Sequence, residues 1–295
     1  MRSDPVLGAR GAIVALAILL VTAACGGGAS EPEAADDTEP GVTGGAEAAG
    51  AITVLLPIDS PNVYGFKLAE SLGYYEDQGV DATLQYVDGS GEAIRQLLAD
   101  NGDIAVVGTG TVLDALEEGR DEVRVIGNVN YGSVFFLSTP EDSDITSAEQ
   151  LAGRTVGISE LSGGEVPVVE GIIRSAGLEP GVDVQLLPIG TGTALAVRAI
   201  EEGQVDAFSG SVNDLIAIEV QGLPLRRILP EVLTTLPGLP VATTQNVLDE
   251  KRDAIVALMR AMTMGQEFGQ ANPDAALSVL EEADPEQFTD ETGGL

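Results

Sequence analysis

The chain contains a partial copy of itself. Val80-Asp81-Ala82-Thr83-Leu84, followed by Gly89-Ser90-Gly91 and Ala93-Ile94-Arg95-Gln96-Leu97, returns as Val182-Asp183-Val184-Gln185-Leu186, Gly190-Thr191-Gly192-Thr193 and Ala196-Val197-Arg198-Ala199-Ile200. Asp103 then corresponds to Asp206 and Gly119 to Gly222, so the offset stays near 102 to 103 residues throughout. Each copy is therefore the size of a domain, larger than a solenoid repeat. Two similar lobes imply a cleft between them, and a cleft is where a protein holds a small molecule.

Within each copy strands and helices alternate, which defines an α/β chain. In the first, Ile52–Pro57 reads as a strand, Asn62–Leu72 as a helix stopped by Gly73, and Val80–Val87 as a second strand. The next helix carries Ala93, Ile94, Leu97 and Leu98 on one face. Ile104–Val107 is a short apolar run of the kind buried in a parallel sheet, and Val123–Val129 and Val134–Leu137 complete the first set. The second set opens with Ser147 and Gln150 spaced as a capping box. A strand at Thr155–Ile158 and a helix at Glu165–Ala176, closed by Gly177, follow. Strands at Val184–Pro188, Ala207–Phe208 and Pro224–Ile228 alternate with helices at Ala194–Glu202 and Asn213–Gln221. Pro230, Pro237 and Pro240 mark a return linker, and Val241–Thr244 reads as a strand rejoining the first lobe. Two crossings imply a paired hinge near Leu137–Pro140 and Pro230–Pro240. Helices at Leu248–Phe268 and Asn272–Glu282 finish the chain, whose last residues from Asp284 show no obvious element.

The N-terminus carries a different signal. Arg2 and Arg10 precede an uncharged run, Gly11–Ala24, of the length of a signal-peptide core and too short for a mature membrane span. The run ends in Val21-Thr22-Ala23-Ala24-Cys25 and resembles a bacterial lipoprotein signal, in which the Cys becomes the lipidated N-terminus; Thr22 stands where that motif usually has Leu or Val. Cys25 is the only cysteine, so no intramolecular disulfide is available. From Gly26 to Gly50 there is no aromatic residue, Lys or Arg, a composition that cannot bury enough surface to fold. As a coil it reaches roughly 25 to 30 Å. The expected organisation is a signal peptide over 1–24, a lipidated Cys25 with an acidic tether over 25–50, a first lobe over 51–138 plus 237–295, and a second lobe over 139–236.

The formal net charge is −33, from 14 Lys+Arg against 47 Asp+Glu, and only Lys67 and Lys251 are lysines. Nucleic acid is disfavoured as a partner, since phosphate binding needs a basic footprint that is absent here. The charge reads either as adaptation to high salt, which screens self-repulsion, or as drift in a lysine-poor composition. There is no His. That removes a Ser-His-Asp arrangement and a His-ligated zinc site. Neither lysine follows a glycine loop as a P-loop requires, and Gly190-Thr191-Gly192 lacks the third glycine of a dinucleotide fingerprint. No cofactor and no metal site are expected.

Three phrases add to the duplicated lobes: Leu72-Gly73-Tyr74-Tyr75-Glu76-Asp77-Gln78-Gly79-Val80, Gly102-Asp103-Ile104-Ala105, and Leu151-Ala152-Gly153-Arg154-Thr155-Val156-Gly157. In their order and spacing the body from about Ile52 to Ala276 resembles the SsuA/THI5-like substrate-binding proteins of nitrate, sulfonate, taurine and thiamine-precursor ABC importers. The resemblance implies a two-lobed type II periplasmic-binding-protein fold that closes like a Venus flytrap on a two-segment hinge. It implies a monomer on the extracytoplasmic face of the membrane, held there by its lipid, that delivers one captured solute to a permease and an ATPase. Members commonly continue beyond the point where this sequence stops. Some relatives synthesise the thiamine pyrimidine and need a His for it, which this chain lacks. Other readings are a ligand-sensing receptor for a membrane signalling partner and an enzyme working with carboxylates alone.

In parallel sheets ligands bind beyond the carboxyl ends of the strands. That rule selects Ile58, Asp59, Asn62, Ser90, Thr109, Thr111, Asn130 and Tyr131 from the first lobe. From the second it selects Ser159, Ser162, Gly163, Gly164, Thr191, Thr193, Ser209, Ser211 and Asn213. Backbone N–H groups and hydroxyls at helix N-termini suit a sulfonate, carboxylate or phosphate, although Ser and Thr also stand there simply as N-caps. No Arg occurs in these loops. Asp59, Glu165 and Asp214 either pair with an amine or aminopyrimidine edge or are solvated acids favoured by the helix dipole. Tyr131 and Tyr64 offer a ring to stack on a ligand, or belong to the core. Arg95 and Arg198, equivalent in the two copies, sit on helix faces directed away from the cleft.

Overall fold

A computed structural model describes residues 49–192, 194–228, 230 and 236–288. The expected signal peptide, Cys25, the tether as far as Ala48, and Thr193 lie outside them. Gly50, expected to end the tether, instead opens the first strand.

In chain order the first half contains β1 (Gly50–Leu56), α1 (Tyr64–Ser71), α2 (Tyr74–Asp77), β2 (Val80–Tyr86), α3 (Gly89–Leu98), β3 (Ile104–Val106), α4 (Thr109–Glu117) and β4 (Val123–Asn128). The second contains β5 (Phe135–Pro140), β6 (Thr155–Ile158), α5 (Val166–Ser175), β7 (Gln185–Pro188), α6 (Ala194–Glu201), β8 (Ala207–Ser211), α7 (Val212–Val220) and β9 (Leu225–Ile228). The chain returns through β10 (Pro240–Thr244), α8 (Gln245–Glu250), α9 (Arg252–Ala271) and α10 (Pro273–Ala283). Two five-stranded sheets result, ordered β2-β1-β3-β10-β4 and β7-β6-β8-β5-β9.

The internal repeat is visible in the pairing register. Val54 pairs with Leu84 and Val156 with Leu186, an offset of 102 at both positions (156 less 54, 186 less 84). Asp103 and Asp206 have the same role in each copy. The Thr53 backbone N–H donates to the Asp103 carboxylate at 2.8 Å while the Asp103 N–H donates to the Thr53 carbonyl at 2.9 Å. Thr155 and Asp206 repeat both bonds, at 2.9 and 2.8 Å. A cation completes each clamp, Lys251 on Asp103 at 2.8 Å and Arg154 on Asp206 at 2.9 Å.

Removing the carboxylate leaves a strand N–H without its acceptor and a cation without its partner, a cost of about 1 to 3 kcal/mol. The Asp103 side chain is 15% exposed and that of Asp206 31%. Urea unfolding is therefore expected to show Asp103→Ala as the more destabilised variant and Asp103→Asn, which keeps an acceptor, as nearer to the parent.

Both sheets are covered on both faces, so the central strands β3, β8 and β10 are buried almost throughout, whereas the edge strand β2 alternates. In the first, Ile52, Val54 and Leu56 pack with Phe66 of α1 and Leu258 of α9, while Leu55, Ala105 and Val107 pack with Leu97 of α3 and Val112 of α4. In the second, Val156, Ile158 and Leu137 pack with Val169 and Ile173 of α5, and Phe208 packs with Val197 of α6 and Leu215 of α7. Gly73 (φ 74°) and Gly177 (φ 75°) end helices in the left-handed region that a side chain disfavours.

Three assignments differ from the sequence reading. Residues 135–140, expected partly as the last strand of the first set and partly as hinge, form β5, which lies antiparallel between β8 and β9 in the second sheet. The segment that leaves the first sheet is 129–134. It is tied to the return segment, since the Val129 N–H donates to Leu239 at 2.8 Å and the Gly238 N–H to Asn130 at 3.1 Å. The helix expected from Leu248 to Phe268 is interrupted at Lys251, the residue drawn to Asp103. Finally, the last described residues form a short 3-10 turn, Pro285–Phe288.

Candidate functional site

β1, β2 and β3 run parallel, as do β6, β7 and β8. Their carboxyl ends deliver loops from both sheets to one cavity of about 710 Å³. The loop after β1 brings Ile58, Asp59 and Asn62; that after β2 brings Asp88, Gly89 and Ser90. From the second sheet come Ser159, Glu160, Gly163, Gly164 and Glu165 after β6, Gly190, Thr191 and Gly192 after β7, and Ser211, Asn213 and Asp214 around the end of β8. One face of α7 adds Ile216, Ala217 and Val220.

The two halves touch across this cavity. The Gly91 N–H donates to the Ser162 carbonyl at 3.1 Å, and the Ser162 hydroxyl to the Asp88 carbonyl at 3.2 Å. Glycine is required on both sides of the contact. A Cβ on Gly89, whose φ is 79°, would lie 2.6 Å from the Ser162 carbonyl oxygen, and one on Gly164 would lie 2.6 Å from the Phe135 ring and 2.7 Å from the Ser90 hydroxyl. That hydroxyl is itself fixed, accepting the Gly108 N–H at 3.0 Å.

Among the described residues, every charged side chain in the lining is acidic. Glu165 is 3% exposed and its carboxylate accepts the Ser159 N–H at 2.9 Å. It lies over Gly163, where a Cβ would meet it at 2.3 Å. Burial raises its pKa, the hydrogen bonds from its own backbone and Ser159 oppose the rise, and nearby Asp214 adds to it. Glu160 is likewise raised, first by burial and then by the Asp88 charge facing it from the other half. Asp214 accepts the Gly192 N–H at 3.0 Å and the Ser211 N–H and hydroxyl at 2.8 and 2.7 Å, so it caps α7 and braces the loop after β7. Asp59 is ion-paired with Lys67, which also reaches Asp284 at 3.5 Å. The Asn213 side-chain amide nitrogen is buried and has no hydrogen-bond partner among the described residues. Titratable groups perturbed by burial and by one another make this cleft the candidate functional site.

Of the residues expected from the sequence, Asp59, Asn62, Ser90, Ser159, Gly163, Thr191 and Asn213 line the cavity, with Ile58, Gly164, Glu165, Ser211 and Asp214. Four others do not. Thr109 donates its hydroxyl to Pro237 at 2.5 Å and so ties α4 to the return segment. Ser162 belongs to the rim contact, Tyr131 is fully exposed outside the cavity, and Ser209 is fully buried inside β8. The same separation applies to Thr111 and Asn130, which are not in the lining. Tyr64 packs beside Gly269 of α9, whereas Arg95 and Arg198 are exposed and paired along their own helices with Glu92 and Glu202. Sequence reasoning missed Asp88, Glu160 and the α7 face; the spacing of Ile216, Ala217 and Val220 after a parallel strand was the available signal for that face.

Two similar lobes, each with a parallel β-α framework, that meet over a cavity at their strand ends define a periplasmic binding protein fold. The chain belongs to the NMT1/THI5-like family, whose model matches residues 60–276. Its fold is similar to that of a protein from Bordetella bronchiseptica RB50, with a TM-score of 0.66 and 19% identity over 81% of this chain and 76% of that one. It is also similar to the periplasmic aliphatic sulphonate binding protein SsuA of Escherichia coli, with a TM-score of 0.63 and 16% identity over 79% and 78%. YtlA of Bacillus subtilis (strain 168), a binding protein by name, is 27% identical over 122 residues, which are 41% of this chain and 36% of that protein.

Proposed function

We propose that this chain is the solute-binding component of an ABC importer and not an enzyme. It captures one small organic molecule between its lobes and presents the closed form to a permease coupled to an ATPase. The lobes divide at residues 129–134 and between β9 and β10, and the body is held on the extracytoplasmic face through a lipid on Cys25. The observation that carries this reading is the cavity itself, walled by strand-end loops from both sheets and closed by direct contact of Gly91 with Ser162. Contacts to both lobes exist together only when the lobes meet, so a solute that makes them shifts the population toward closure by its differential affinity. The E. coli relative's aliphatic sulphonate sets the scale of solute to test.

Thermal unfolding of the purified protein against small organic solutes tests the proposal. A true solute at a hundred times its dissociation constant stabilises by about 2.7 kcal/mol and reduces the radius of gyration in solution scattering. If neither defined solutes nor an extract of small metabolites produced a retained ligand or a change in compactness, the proposal would fail.

A further inference from the structure

We propose that the captured solute is an organic cation, a protonated amine or quaternary ammonium carried on an apolar body. The inference rests on the solute-binding reading above and names the chemistry of that same cavity.

The charged lining comprises Asp59, Asp88, Glu160, Glu165 and Asp214, and no Lys or Arg lines it among the described residues. Two of these acids are already engaged, Asp59 by Lys67 and Asp214 by the Gly192 and Ser211 donors. Asp88 and Glu160 face each other across the cavity, and the buried Glu165, held through one oxygen by the Ser159 N–H, completes the acidic wall. Asp88 comes from the first lobe and the two glutamates from the second, so closure brings like charges into one partly desolvated volume. An anion placed there would add to that repulsion. A cation between them converts it into attraction in the closed form alone, which is the differential contact that a closing protein needs.

Beside the acids the lining has uncharged polar groups, among them Asn62, Ser90, Ser159, Thr191 and Asn213, and one apolar wall. Val220 is 73% exposed, and with Ile216 of α7 and Ile58 of the first lobe it lines the cavity. The volume, roughly that of twenty waters, is far larger than an ammonium group alone requires.

The test uses the full chain and native mass spectrometry at pH 7.5. The probes are a panel of alkyl and aryl ammonium compounds together with the sulfonate and carboxylate built on each same skeleton. At least one ammonium compound should be retained at least tenfold more tightly than its anionic counterparts. Glu165→Gln, whose amide oxygen can still accept the Ser159 N–H, should weaken that ammonium compound at least tenfold. Where Glu165→Gln does not fold, Glu160→Gln should show the same loss. A sulfonate or carboxylate retained in preference would overturn the inference and leave the solute-binding reading standing. So would retention only of an uncharged metabolite, or unchanged ammonium affinity in the folded glutamine variants. Failure of every probe and of the metabolite extract would remove both.

Discussion

Gly89→Ala is expected to weaken solute binding by about tenfold to a hundredfold and to leave the lobes apart when solute is added, as read by solution scattering. The new methyl group would stand 2.6 Å from the Ser162 carbonyl oxygen and 3.1 Å from its carbon, backbone atoms of the opposite lobe that cannot rotate away. Overpacking of this kind costs about 1 to 3 kcal/mol, and each 1.4 kcal/mol is about tenfold in affinity. The substitution also forces alanine to a φ of 79°, a strain of about 1 kcal/mol that acts on stability whether the lobes are open or closed. Gly119→Ala separates the two effects. Gly119 has a φ of 82° and nothing within 4 Å of its added Cβ, so it should lose the stability and keep the affinity. Equal affinities for the two variants would show that the Gly89 contact plays no part in closure.

The largest loss of stability is expected from Gly265→Ala, at about 2 to 3 kcal/mol. In an exposed helix interior the same change stabilises, because alanine loses less backbone freedom than glycine. Here the sign reverses. α9 crosses α1 so closely that a Cβ on Gly265 would lie 2.3 Å from the Gly65 carbonyl oxygen and 3.0 Å from the Ala69 nitrogen. Gly65 faces back, with the Met262 carbonyl 3.2 Å from its own added Cβ. Only separation of the two helices would relieve the clash, and that would open the core around Phe66 and Leu258. Gly171→Ala in α5, with nothing within 4 Å, is the matched control and should gain about 0.5 to 1 kcal/mol. At about 2 to 4 °C per kcal/mol for a protein of this size, thermal melts should resolve the two variants in opposite directions.

Much of this arrangement is legible in the sequence because it is local or repeated. The copy of Val80–Leu84 at Val182–Leu186 identifies equivalent strands, and the equivalence of Asp103 with Asp206 marks the clamp that both copies use. Strand-end loops are legible for the same reason, since a parallel strand must end in a turn to its helix, and twelve of the residues named from the sequence reach the cavity. The placement of 135–140 is not legible. The segment is strand-like by composition, but its partners are β8 and β9, more than sixty residues away in the chain (Ser138 with Phe208), and nothing local records the choice. Side-chain direction fails similarly. Ser209 and Ser211 lie on one strand two residues apart, yet one is sealed in the core and the other reaches the cavity. Closure itself depends on which atoms meet across the lobes, so Asp88 and Glu160 acquire their significance only once both halves are in place.

The sheet orders carry a consequence for how the chain can be assembled. β4 has no neighbour except β10, and β10 lies between β3 and β4 in the interior of its sheet. The whole of β5 to β9 must therefore be synthesised before β4 acquires its partner. The second sheet is drawn from one uninterrupted stretch, β5 to β9, and can finish without waiting for later residues. Until β10 arrives the first sheet is a three-stranded fragment with an unpaired edge on β3, and the insertion of β10 both zips that edge and joins the two halves. The strand that completes the first sheet thus follows the whole of the second in the chain, and any protection of the exposed edge must last until it arrives.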